Sequence, residues 1–141
     1  MRVFVTGATG FVGRALIPRL QRDGHAVVAW VHSPARARSL LGPEVELLRA
    51  DTAPGALAAA MARSDAVVNL AGEPVIGGRW TAARRASLED SRITVTEHLV
   101  RAMAEATSCP RVLVSGSAVG YVRRANSLQG PSRFARAGSP N

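Results

Sequence analysis

Short runs of β-branched and other apolar residues alternate along this chain with longer stretches of helical period. Residues 2–7, RVFVTG, make an apolar run ending in glycine, the mark of a buried strand. In FVGRALIPRLQRDG, Val12, Ala15, Leu16 and Leu20 recur on one helical face, and Gly24 supplies a stop. Pro18 inside that stretch removes one backbone hydrogen bond and favours a kink. Strands follow at 25–32 (HAVVAWVH), 45–50 (VELLRA), 66–72 (AVVNLAG) and 111–117 (RVLVSGS). Between them lie PARARSLL, closed by Gly42, then PGALAAAMARS, then a long helical region from about residue 81 to 106.

Strands that are apolar nearly throughout and separated by helices predict a parallel sheet covered on both faces. Right-handed crossovers turn this succession into a doubly wound α/β sheet, cut after about its fifth strand. A sheet ending there exposes an edge that invites self-association. The pattern holds over residues 1–121 and then fails. Residues 122–141 are dominated by Gly, Pro, Ser, Asn and Arg and keep neither period, so a disordered or loosely attached tail is expected there. Such a change of character is what a shifted reading frame or a gene break produces.

Composition narrows the class. A chain of 141 residues suits one domain with a hydrophobic core, and an aromatic share of 4% leaves that core to Val, Leu and Ala. No apolar run approaches the ~18 residues a membrane-spanning helix needs, and MRVFVTGATG lacks the form of a signal peptide. The single cysteine, Cys109, excludes an internal disulfide and a cysteine metal cluster. His25 and His98 have no partner at metal or triad spacing, so both are read as structural. The cytoplasm is the expected compartment.

A net charge of +8 raises nucleic acid as a partner, but its distribution argues against one. Half of the excess comes from four arginines after Tyr121 (Arg123, Arg124, Arg133 and Arg136), in a segment without an acid. The others are spread over predicted helices with no interleaved aromatics for base stacking. All the basic residues are arginine and none is lysine, a usage read as coding bias.

The sharpest chemical signal is VTGATGFVGR, which sets Gly7, Gly10 and Gly13 between the first strand and the first helix. Gly7 permits the tight turn out of the strand, Gly10 lets the backbone approach a pyrophosphate, and Gly13 lets the helix pack closely on the sheet. Amides at the helix start, around Phe11 and Val12, then face the phosphate charge. Gly7, Thr9, Gly10, Phe11, Val12 and Gly13 are therefore candidate dinucleotide contacts. The end of the second strand selects the cofactor. WVHSPARAR offers His32, Ser33, Arg36 and Arg38 and no acid, so a ribose 2′-phosphate is favoured over a free 2′-hydroxyl. NADP (NADPH) is the expected cofactor, with NAD as the alternative.

The spacing G-x-x-G-x-x-G headed by Thr6 resembles the short-chain dehydrogenase/reductase superfamily, in its extended branch. The resemblance implies a dinucleotide-binding Rossmann fold. It implies that RAD at 49–51 brings Asp51, and Thr52 beside it, to the adenine. NLAG at 69–72 would set the backbone of Leu70, Ala71 and Gly72 along the ribose side. SGSAVGY at 115–121 looks like the S-x-S-A-x-x-Y signature, with Ser115 and Gly116 at the cofactor and Ser117 as the catalytic serine that holds a substrate oxygen. NLAGEPVIGGRWTAARRASLEDSRITVTEHLV resembles an atypical subgroup, the NAD-dependent epimerase/dehydratase or sugar-nucleotide epimerase-like proteins, and the resemblance covers residues 1–121.

Two departures matter. The superfamily's chemistry pairs a tyrosine with a lysine four residues on, because a phenol near pKa 10 needs a cation to act at neutral pH. This chain has no lysine, and its one tyrosine, Tyr121, belongs to the strand-end signature. Arg92 stands where extended members carry asparagine, with either an ion pair or a substrate contact as its role. The expected function is the nucleotide-binding front portion of an epimerase/dehydratase-like oxidoreductase, acting on a small carbonyl or nucleotide-sugar-type substrate whose binding half is missing. The alternatives are a non-catalytic, redox-sensing dinucleotide module and, third, a basic nucleic-acid-binding protein.

Overall fold

The computed structural model describes residues 1–73 and 80–116. The expected tail at 122–141 lies outside them, as do Ser117 and Tyr121. Nine elements follow one another: β1 (Arg2–Thr6), α1 (Phe11–Arg22), β2 (Ala26–Val31), α2 (Pro34–Leu41), β3 (Glu46–Arg49), α3 (Pro54–Ala62), β4 (Ala66–Asn69), α4 (Ala82–Glu105) and β5 (Val112–Ser115). Every strand and helix expected from periodicity within the described residues is present. The strands pair in parallel in the order β3-β2-β1-β4-β5.

Because successive strand residues point to opposite faces, the apolar runs feed two cores. Val3, Val5, Val27, Ala29 and Val31 pack with Ile17 of α1 and Ala37 of α2 on one face. Phe4, Val28 and Val67 pack with Leu57, Ala60 and Met61 of α3 and with Leu99 and Ala102 of α4 on the other. The chain builds outward from β1 through β2 to β3, then returns to lay β4 on β1's other side. A doubly wound sheet opens a crevice where its strand order reverses, at the carboxyl ends of β1 and β4.

One expectation about packing is corrected. Val12 and Ala15 are exposed; the face of α1 turned to the sheet carries Gly13 and Ile17, flanked by Leu16 and Leu20. The helix touches the sheet at Gly13, so the buried stripe is counted from there at i, i+3, i+4 and i+7. Pro18 falls on the exposed side, and α1 continues through it. The long α4 is started by Thr81, whose hydroxyl accepts the Arg84 amide at 3.1 Å.

Candidate cofactor site

The turn out of β1 demands its glycines for reasons the structure shows atom by atom. Gly7 has φ of +65°, and a Cβ there would lie 2.5 Å from the Leu70 carbonyl and 2.8 Å from the Ala71 nitrogen. The β4–α4 loop thus passes against bare backbone, and any larger residue would displace it. A Cβ on Gly13 would stand 2.5 Å from the carbonyl oxygens of Gly7 and Ala8. Gly10 caps α1 after the Gly10 amide closes the turn on the Gly7 carbonyl at 2.9 Å. No side chain caps this helix and no acid lies in its first turn. The first amides and the positive end of the helix dipole are therefore left to a ligand's negative charge.

Around this loop lies a cleft of about 690 Å³, within the ~300–1,000 Å³ usual for small-molecule sites. Thr6 to Gly10 form its middle. One arm runs along the end of β2 to His32, Ser33 and Arg36, and the other along the β4–α4 loop to Leu70, Ala71, Gly72 and Glu73. Gly7, Thr9, Gly10, His32, Ser33, Arg36, Leu70, Ala71 and Gly72 of the expected contacts thus line one cavity. Gly13 lies beneath the loop as packing, whereas Phe11 and Val12 expose their side chains and do not line the cleft.

Other expected contacts lie apart from the cleft. Asp51 is turned to Arg49, with hydrogen bonds of 2.9 and 2.5 Å, and the Thr52 hydroxyl donates to the Arg49 carbonyl. The Arg49 hydrogen bonds hold the Asp51 carboxyl below its ordinary value. Thr52 borders a separate cavity of about 100 Å³ beside Trp30 and His98, whose rings meet edge-on at 6.5 Å. Ser115 approaches Asn69, whose amide reaches the Ser115 hydroxyl at 3.4 Å, and the Gly116 amide extends the β5–β4 ladder to the Asn69 carbonyl at 2.8 Å. Arg38 requires a correction. Its guanidinium donates to the carbonyls of Gly42, Pro43 and Val45 at 2.9, 2.8 and 2.9 Å, closing the α2–β3 loop instead of facing the cleft. Positions 36 and 38 are two apart on a helix and so project in different directions. Of the two arginines, only Arg36 lines the cleft.

Two polar arrangements were not anticipated. Thr6 and Asn69, both buried, join the ends of β1 and β4 through a 2.6 Å bond from the Thr6 hydroxyl to the Asn69 side-chain carbonyl. The Ala71 amide donates to the same Thr6 hydroxyl at 3.2 Å, and the Asn69 amide reaches Thr96 of α4 at 3.3 Å. A polar residue ending an apolar strand was the available signal. The second surrounds Glu73. Its carboxylate accepts from Arg84 at 2.7 Å and from the Ser87 hydroxyl at 3.2 Å, while its main chain meets Ser91 and Arg92. Arg92 is engaged with main chain: it donates to the carbonyls of Leu88 and Glu73 at 2.9 and 3.1 Å.

A five-stranded parallel sheet with a glycine turn feeding a helix N-terminus at its switch point defines a dinucleotide-binding Rossmann domain of the short-chain dehydrogenase/reductase type. The chain belongs to the NAD dependent epimerase/dehydratase family, whose model matches residues 3–133. The match continues past Tyr121, where the resemblance was expected to stop. Among similar proteins, the Arabidopsis thaliana "Epimerase family protein SDR39U1 homolog, chloroplastic" is 39% identical over 130 residues, covering 86% of this chain and 35% of the plant protein. The Bos taurus epimerase family protein SDR39U1 is 37% identical, covering 86% and 38%. The crystal structure of human SDR39U1 (isoform2) with NADPH superposes with a TM-score of 0.68 at 33% identity, over 87% of this chain and 38% of that one. The chain thus spans little more than a third of the relatives it matches. Among the described residues, no helix is long and apolar enough to cross a membrane, and no group of three His, Cys, Asp or Glu side chains could hold a metal ion.

Proposed function

We propose that this chain is the NADP(H)-binding portion of an epimerase/dehydratase-like oxidoreductase whose substrate is a small carbonyl compound or a nucleotide sugar. One observation carries the reading: a single cleft joins an uncapped helix N-terminus to a cationic end at Arg36, with no acid at the end of β2. The residues present fit a phosphorylated dinucleotide. The amides after Gly10 would meet the pyrophosphate, and Arg36, with His32 and Ser33, would meet the ribose 2′-phosphate. The related human protein was crystallised with NADPH. A UDP-glucose-4-epimerase from Stenotrophomonas maltophila, 26% identical with a TM-score of 0.68, was crystallised with NAD, which keeps NAD as the alternative cofactor.

The bound cofactor would supply hydride transfer. The chain's own part is to orient it: the glycine turn fixes the pyrophosphate and the β4–α4 loop flanks the far half. Ser117, outside the described residues, comes two positions after the last residue of β5 in the sequence and is the candidate to hold a substrate oxygen. A dinucleotide-binding module without chemistry of its own is the second reading, since these 141 residues hold no lysine to lower a tyrosine pKa. Calorimetric titration with NADPH and NADH tests the common core of both readings. Saturable binding, tighter for NADPH, is expected; no binding of either would overturn it. NADPH oxidation followed at 340 nm over carbonyl and nucleotide-sugar substrates then separates them, with turnover lost in Ser117→Ala expected of the first.

A further inference from the structure

We infer that Glu73, Ser91 and Arg92 form a clamp that fixes residues 71–73, just after β4, as the seat for the nicotinamide half of the cofactor, acting as positioning residues. This rests on the dinucleotide reading above. With the 2′-phosphate at Arg36 and the pyrophosphate at Gly10, the other half of the ligand must extend along the remaining arm of the cleft. That arm is bordered by Ala71, Gly72 and Glu73 on the loop and by Ser91 and Thr94 on α4.

The loop residues 71–73 have no helix or strand to hold them, so their backbone depends on side chains from elsewhere. The Glu73 amide donates to the Ser91 hydroxyl at 3.3 Å, and the Glu73 carbonyl accepts from Arg92 at 3.1 Å. Both main-chain groups of one residue are thus held by neighbours on α4. The Glu73 carboxylate adds Ser87 and Arg84, one and two turns nearer the start of that helix. A second Arg92 nitrogen is bonded to the Leu88 carbonyl at 2.9 Å, which ties the guanidinium to its own helix. The guanidinium lies against Gly72, where a Cβ would come within 2.9 Å of the Arg92 Cζ. A side chain at 72 would therefore displace the Arg92 guanidinium. A planar fork that bridges two carbonyls is a geometry lysine cannot supply.

A ligand pair separates positioning of one half from support of the whole fold. The protein and its Arg92→Ala, Arg92→Lys and Glu73→Gln variants are titrated with NADPH and with 2′,5′-ADP, which has the adenosine 2′-phosphate but no nicotinamide. Arg92→Ala is expected to weaken NADPH about tenfold, in line with the loss of a charged hydrogen bond, while 2′,5′-ADP stays within about twofold. Arg92→Lys should recover only part of the loss. Glu73→Gln keeps both main-chain contacts and should cost less than Arg92→Ala. The anisotropy of bound NADPH fluorescence should fall in Arg92→Ala. Equal losses for both ligands, or none for NADPH, would overturn the clamp and leave the cofactor reading intact. Failure of the unsubstituted chain to bind either ligand would overturn both.

Discussion

β1 and β5 are apolar strands of the same sheet, yet they meet opposite surroundings. Val3, Phe4 and Val5 are 2%, 0% and 0% exposed, whereas Val112, Leu113 and Val114 are 51%, 43% and 53% exposed. The residue types barely differ. What differs is company: β1 lies between β2 and β4 with helices over both faces, while β5 pairs, among the described residues, with β4 alone. Apolar character therefore marks a strand without saying how deeply it is buried. The site is built on the packed side of this contrast, where the turn after β1 is held by contact with the β4–α4 loop.

The largest effect should come from breaking the packed strand. Phe4→Ala is expected to cost about 3–5 kcal/mol, against less than about 1 kcal/mol for Leu113→Ala in β5. Chemical denaturation midpoints would check this, and equal costs would erase the contrast between the strands. A companion change, Val114→Lys, should leave stability nearly unaltered. If the β5 edge, unpaired among the described residues, joins two copies of the chain, that charge should return it to monomer in sedimentation velocity.

Gly10→Val tests whether the packed side is also the binding side. The branched side chain would occupy the approach to the α1 amides, so NADPH binding should be lost in calorimetric titration, with the fold retained because a Cβ at Gly10 meets only the Gly7 carbonyl, at 3.1 Å.

Arg36 and Arg38 sharpen the comparison on a smaller scale. Arg36→Ala is expected to weaken NADPH about ten- to a hundredfold while leaving NADH nearly unchanged, the loss of a charge-assisted contact. Arg38→Ala should instead lower the melting temperature and leave the NADPH-to-NADH ratio alone, because its guanidinium is committed to three loop carbonyls. Parallel titrations and melts of both variants would show whether the roles separate.

The smallest expected effect concerns Asp51. Its folded pKa is lowered by the Arg49 hydrogen bond, so the pair contributes stability above the unfolded carboxylate value of about 3.9 and loses it as pH falls through the folded value. Both partners are exposed, so Asp51→Asn should change the melt only slightly at neutral pH and not at all well below pH 3.9. A large loss at neutral pH would give Asp51 a role the pair does not explain.

All nine elements were legible in the sequence because strand and helix periods, glycine stops and prolines at helix starts act over a few neighbouring residues. α2 at Pro34–Leu41 coincides with the stretch read from PARARSLL. The glycine turn was legible for the same reason, since it sits between a strand and a helix that are each locally marked. The face of α1 was not: Val12 and Ile17 are equally apolar, and only contact at Gly13 decides between them. Nor could local pattern assign Arg38 to a loop, Asn69 to Thr6, or Glu73 to α4. Those partners are brought together by the return of β4 to the side of β1 and by the course of α4 across the sheet. A side chain's chemistry belongs to its residue, but the partner it meets is set by where the chain comes back.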